Sequence, residues 1–145
     1  VGIGTTLNMA TPIGKVTSIF TTIVLLALPV LCIWLISEEF TPIHLDIKDD
    51  TLRAVHLRTE YQIDTDDIEN LKMITELPKW SKSDGTGMDT LEKGTYYIRN
   101  VGKCQVFLNP QNSEFIYFQA DGTDYYMSGY DDVQTEAIYE MLQNK

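Results

Sequence analysis

Two histidines, one cysteine in the polar half of the chain and several closely spaced carboxylates are the residues whose chemistry could make a site. His44 and His56 could ligate a metal, but the strand register that the nearby apolar residues impose turns His44 outward and His56 inward. They do not converge, so each is read as a solvated or hydrogen-bonded side chain. Asp64, Asp66, Asp67 and Glu69 have a calcium-like composition. The EF-hand loop also needs a central glycine and a distal glutamate at set positions, and both are missing; the stretch reads as a solvated turn. Asp131 and Asp132 read as helix caps. Cys104 stands on a strand whose alternates are Val106 and Leu108, with no general base tied to it by spacing, and reads as a small buried hydrophobe. Gly2 and Gly4 begin something like a phosphate loop without the strand–turn–helix context that such a loop needs, so they read as a loop or a helix end. A structural zinc site takes about four ligands, more than the histidines supply. No convergent acid–base, nucleophile or metal set is visible. The expectation is therefore no catalytic centre, no metal, no cofactor and no enzyme.

Tyrosine is the residue type that clusters. Tyr96, Tyr97, Tyr117, Tyr125, Tyr126 and Tyr130 fall on neighbouring strands or just after them. Alternation turns about half of such side chains away from a core. Tyr97, Tyr117, Tyr125, Tyr126 and Tyr130 are the candidate partner surface, since aromatics are enriched at interfaces. The competing reading is cross-strand stabilisation of a small sheet.

The elements that must position these residues fall into two unlike parts. Val16–Ser37 is an uncharged apolar run between Lys15 and the pair Glu38–Glu39. A helix needs about 20 apolar residues to cross a bilayer, so the run reads as a transmembrane helix. It is too long for a signal-peptide core and lacks a small-x-small cleavage site, so an uncleaved anchor is expected. Pro29 should kink it, and Trp34 suits the interfacial aromatic belt. The chain begins with Val1, read as a fragment or processed product; residues 1–15 are a tail, or the end of an earlier span plus a loop. Residues 38–42 read as a linker and 43–145 as one polar domain. Lys15 before the span and two glutamates after it place the domain outside the cytoplasm by the positive-inside rule.

The formal net charge is −10, and removing the +1 of Lys15 leaves −11 on the part after Ser37. Such a surface repels phosphate backbones and anionic headgroups, which excludes nucleic acid as a partner class. Cys32 lies in the span and Cys104 in the domain, so no disulfide is expected.

From Ile43 the pattern has period 2. Asp49–Asp50 as a two-residue loop would set Ile47 opposite Leu52 and Leu45 opposite Ala54. Tyr61–Ile63 and Ile68–Thr75 read as strands on either side of a turn at Asp64–Asp67. Leu77–Gly94, with Pro78, Gly85, Gly87 and Gly94, reads as a loop. Thr95–Asn100 and Cys104–Leu108 flank a turn containing Gly102. Asp121–Gly122 between Phe115–Ala120 and Thr123–Met127 is a strong hairpin signal, with Phe118 facing Tyr125 and Ile116 facing Met127. Asp131 with Gln134 suggests a capping box. Val133, Ala137, Ile138, Met141 and Leu142 then make one helical apolar stripe, with Lys145 at the favourable end of the dipole. The fold class is mainly β: seven or eight antiparallel strands in a sheet or partly open barrel, closed by one C-terminal amphipathic helix.

That order, strands first and one terminal helix last, resembles the pleckstrin-homology (PH) fold. More closely, Tyr61–Ile68 (YQIDTDDI), Glu76–Pro78 with the glycine loop Asp84–Gly87, Lys93–Ile98 (KGTYYI), Gly102–Leu108 (GKCQVFL), Phe115–Phe118 (FIYF) and Asp131–Leu142 (DDVQTEAIYEML) resemble the small bacterial PH domains found behind membrane helices. The resemblance covers about Ile43–Gln143. It implies a binding or scaffolding role and no chemistry. The expectation built on it is a membrane-anchored module that engages a protein partner, as an accessory component of a bacterial membrane or envelope complex. The other reading is an extracytoplasmic sensor of a small molecule or peptide. Eukaryotic PH domains hold inositol phosphates with basic residues in the first hairpin loop. Here that loop is Lys48-Asp49-Asp50, whose carboxylates would repel phosphate, so phosphoinositide binding is not carried over.

Overall fold

The computed structural model describes residues 9–144. The readings of Val1–Leu7, of Gly2 and Gly4, and of Lys145 lie outside them. The chain divides into two compact units between Ser37 and Glu38.

The first unit is built on helix α1 (Pro12–Phe40), whose last three residues belong to the second unit. Thr11 caps it through its hydroxyl, which accepts from Gly14 N at 3.1 Å, and Pro12 follows at the first helical position, where a missing N–H costs nothing. The apolar run has a mean hydropathy of 2.7 over its best window, none of which is buried. At 1.5 Å per residue, Val16–Ser37 is about 33 Å long, enough to cross a bilayer. The hydroxyls of Thr17, Thr21, Thr22 and Ser37 each donate to the carbonyl four residues back at 2.9 Å. A helix side in hydrocarbon cannot leave such groups unpaired. The helix runs on through Pro29.

Among the described residues the second unit holds nine strands. β1 (His44–Lys48), β2 (Thr51–His56) and β3 (Thr59–Asp64) form a three-stranded antiparallel sheet. Asp49 and Asp50 both take positive φ, as a two-residue hairpin of this type requires. The expected pairs Ile47↔Leu52 and Leu45↔Ala54 follow. A single 3₁₀ turn (Thr65–Asp67) leads to β4 (Glu69–Ile74); Asp64 caps it by accepting from Asp66 N. Then come β5 (Trp80–Gly87), β6 (Glu92–Ile98), β7 (Gly102–Leu108), β8 (Phe115–Ala120) and β9 (Thr123–Met127), and helix α2 (Asp132–Gln143) ends the domain. The second sheet has the order β4-β8-β9-β7-β6-β5.

Three expectations are corrected. Leu77–Gly94 is not a loop: β5 and the first three residues of β6 fill most of it, and the two strands pair. Its glycines break the apolar pattern because two backbones meet there. Gly85 lies opposite Gly94, both at φ above +120°, and a Cβ on either would strike the other strand's backbone. The sheet is not wholly antiparallel. β9 returns from β8 through a two-residue hairpin at Asp121–Gly122, so it meets β7 on its other side in parallel. The α2 stripe is also narrower than read. Ile138 and Leu142 are buried together with Thr135, while Val133, Ala137 and Met141 face solvent. Thr135 takes an inward place because its hydroxyl is satisfied, donating to Asp131 O and accepting from Gly129 N.

Connectivity bends the large sheet. β4 and β5 are its two edges, five strand spacings apart, which in a flat sheet is about 24 Å. The six residue steps from Ile74 to Trp80 reach at most about 21 Å. The edges must therefore curl toward each other, and each face of the sheet acquires its own core. On one face Phe107, Ile116, Phe118 and Met127 pack with Leu45, Leu52 and Ile63 of the small sheet and Ile138 and Leu142 of α2. Inside the curl lie Tyr96, Ile98, Cys104, Val106, Leu108, Phe115 and Tyr126, covered by Ile74, Leu77, Trp80 and Tyr117. The Trp80 ring is 5.4 Å from that of Tyr126 although β5 and β9 are three strands apart.

Gly94→Ala should lower stability by more than about 2 kcal/mol, since it combines a left-handed φ with a backbone clash. Gly122→Ala, at φ +69° with open space around it, should cost only about 1 kcal/mol. Urea midpoints of the full chain in micelles would check both; equal losses would contradict the close approach of β5 and β6.

Candidate functional site

The most constrained polar group of the domain lies where the chain enters it. Glu38 and Glu39 are followed by Thr41–Ile43, which feed β1. Glu38 Oε2 accepts from Lys93 Nζ at 2.7 Å, and both residues are buried. Lys93 Nζ is also 3.1 Å from His56 Nδ1. An ammonium has only donors, so Nδ1 is the acceptor and the imidazole is neutral with its proton on Nε2. That nitrogen donates to Thr41 O at 3.1 Å. Burial, and then the Lys93 charge, hold the imidazole below the ordinary histidine value of 6.5. Beside this group Glu39 Oε1 accepts from Thr90 N at 3.1 Å and from its hydroxyl. The network is closed and every polar atom named in it has a partner, so it can tie β2, β6 and Glu38 together but offers no reactive group to a substrate.

The other singled-out residues are dispersed. His44 is exposed and edge-on to Tyr130. Cys104 is fully buried, and burial pushes its thiol up to about 11. Asp131 caps α2 by accepting from Gln134 N at 2.8 Å. The capping box is not reciprocal: Gln134 accepts from Tyr130 N and donates to Leu45 O. Asp132 accepts from the amides of Ser113 and Glu114. Among the described residues no group of three or more histidines, cysteines or carboxylates is placed to hold a metal.

The tyrosines do not share one face. Tyr97 and Tyr130 are exposed, at 50% and 47%. Tyr126 is buried inside the curl with Tyr96, and Tyr117 packs on its ring at 5.1 Å. Tyr125 points to the opposite face and stacks on Phe118 at 5.1 Å. Desolvation first, and then the bond that Tyr117 donates to Asp124, push its phenol up to about 12. Glu92 stands at the same curl. Burial raises its pKa against the bond from Trp80, and its Oε2 has no hydrogen-bond partner among the described residues.

Sequence reasoning missed Glu38 and Lys93. Glu38 reads as a charge ending an apolar run, and Lys93 alternates with Thr95 and Tyr97 on what looks like an outward face. Only their juxtaposition, 55 residues apart, reveals the pair.

Lys93→Met would strand a buried carboxylate and should lower stability by roughly 3–5 kcal/mol. Adding Glu38→Leu removes the second charge and should restore most of the loss; urea midpoints of the single and double variants check this. His56 gives a pH signature. Its folded pKa lies below its unfolded one, so its contribution is complete above about pH 6.5 and drains as pH falls through the lowered folded value. Melting temperatures between about pH 7.5 and 5 should fall along this slope, and the slope should be reduced in His56→Gln.

A family model described as bacterial PH domain matches residues 44–141. No curated protein and no solved structure matches. The matched segment runs from β1 into the last turn of α2 and contains all nine strands. A strand-built domain of two sheets, closed by a C-terminal helix and matched over that length, belongs to the bacterial PH domain family.

Proposed function

We propose that this chain is a membrane-anchored PH-like module that engages a protein partner, as an accessory component of a bacterial membrane or envelope complex. α1 is the anchor and residues 43–145 are the working domain. The observation that carries the reading is the filled interior. Ile138 and Leu142 occupy the space between α2 and the sheet at 5% and 8% exposure, where a ligand sensor would keep a pocket. Binding then falls to the surface. Exposed Tyr97 and Tyr130 present rings to a partner, while Tyr117, Tyr125 and Tyr126 support the strands behind. The domain lies outside the cytoplasm, because Lys15 precedes the span and Glu38–Glu39 follow it.

A protease-cleavable tag after Lys145 should be cut in intact cells; protection until lysis would reverse the sidedness. A stoichiometric protein should co-purify with the full chain, and Tyr97→Ser or Tyr130→Ser should reduce its recovery. Unchanged recovery in both variants would remove the tyrosines from the contact, and the absence of any partner would sink the reading.

A further inference from the structure

The domain is strongly acidic, yet one part of its surface is not. Arg53 and Lys93 are ion-paired with carboxylates of their own domain. Lys79, Arg99 and Lys103 have no carboxylate within ion-pair distance among the described residues, and all three are exposed. The strand register gathers them. Tyr97 lies directly opposite Ser81 on β5 and Lys103 on β7, so all three side chains stand on one face, with Ser81 and Lys103 each about 5 Å from Tyr97. Arg99 follows at the end of β6, and Lys79 precedes Trp80, the residue paired with Ile98. Lys79, Trp80, Ser81, Tyr97 and Arg99 line a groove of about 520 Å³. Val101, 61% exposed in the adjoining turn, adds apolar surface.

Cations without ion-pair partners around the half-exposed ring of Tyr97 fit a ligand that carries both carboxylates and an apolar side chain. Tyrosine, tryptophan and arginine are also the residues that most often anchor protein contacts. Charge alone would equally suit an anionic lipid surface. The same end of the sheet argues against that. Cys104 pairs with Asp124, and Gln119 pairs with both Asp124 and Glu69. The carboxylates Asp66, Asp67, Glu69 and Asp121 therefore border the β4–β8–β9 half of the end that carries Arg99 and Lys103, and they line a groove of their own. A flat anionic surface reaching the cations would meet these carboxylates too, whereas a narrow extended segment in the groove would not.

We propose that this groove, with Lys103 at its rim, docks an acidic segment of a protein partner. Carboxylates of the segment meet Lys79, Arg99 and Lys103, and one apolar side chain packs on Tyr97. The proposal rests on the protein-binding reading above and names the chemistry of the partner.

The test uses the full chain in nanodiscs of zwitterionic lipid and a fluorescent peptide of glutamates interrupted by one phenylalanine. Anisotropy should rise saturably, and added salt should weaken binding. The triple variant Lys79→Glu, Arg99→Glu, Lys103→Glu should weaken it about tenfold or more, as expected for reversing steering charges at a contact. Its unchanged melting temperature would show that it folds. Tyr97→Ser should weaken binding less, and a glutamine peptide should not bind. Equal affinity in the triple variant, or no saturable binding to the wild type, overturns the proposal. So does displacement of the peptide by phosphatidylglycerol vesicles at equal negative charge, which would make a lipid surface the ligand. A stoichiometric protein that co-purifies equally with the wild type and the triple variant keeps the protein-binding reading and overturns the groove. Charge-dependent peptide binding without any cellular protein partner supports the groove and overturns that reading.

Discussion

The short chain from β4 to β5 is the constraint on which the domain's shape depends. It joins the two edges of a six-stranded sheet through Thr75–Lys79, and no flat sheet could satisfy it. Curling the sheet shelters a second cluster of apolar residues, which is why its strands carry apolar or aromatic side chains on both faces. It also explains the composition of β5. That strand must bend over β6 at close range, so it is made of small and polar residues, with Gly85 against Gly94 where the backbones approach. Trp80 then reaches across three strands to Tyr126 and holds the curl closed.

The buried polar groups follow a different rule. Desolvating a charge is costly unless it is paired and hydrogen-bonded, and the domain meets that condition at its start. Glu38, Lys93 and His56 satisfy one another and Thr41 O. The same logic operates around Ser128 and Thr135, both fully buried. Ser128 Oγ accepts from Asn109 N, and Thr135 Oγ1 accepts from Gly129 N. These bonds fasten the segment after β7 and the start of α2 to the end of β9. Neither group is directed at a ligand; both hold strands and helix in one arrangement.

The surface divides by charge in a way that net charge hides. Carboxylates border the β4–β8–β9 side, and Lys79, Arg99 and Lys103, without an ion pair among the described residues, stand around Tyr97 on the β5–β6–β7 side. Strand order produces the division: residues of one sign enter the sheet from turns that are far apart in sequence but share one end of it.

Much of the fold was legible because local physics dictates it. The apolar run of α1, the Asp49–Asp50 and Asp121–Gly122 hairpins with their registers, the cap at Asp131 and the inward burial of Cys104 and His56 all follow from periodicity and turn chemistry. Those signals depend on residues within a few positions of one another. The strand hidden in Trp80–Gly87, the parallel β7–β9 pair, the inward turn of Thr135 and the exposure of Val133 and Met141 were not legible. Each depends on what a distant segment supplies: another glycine, a hairpin partner, a hydroxyl's acceptor or a core already full. The candidate site divides in the same way. The sequence by itself determined an apolar helix ahead of an acidic, strand-rich domain of this family, and that tyrosine was its clustering residue. Only the tertiary structure decided that Tyr126 is core while Tyr97 is surface, that Lys93 is buried against Glu38, and that Lys79, Arg99 and Lys103 stand near one another with no ion pair among the described residues, because pairing and burial are properties of contacts across the sheet and not of position along the chain.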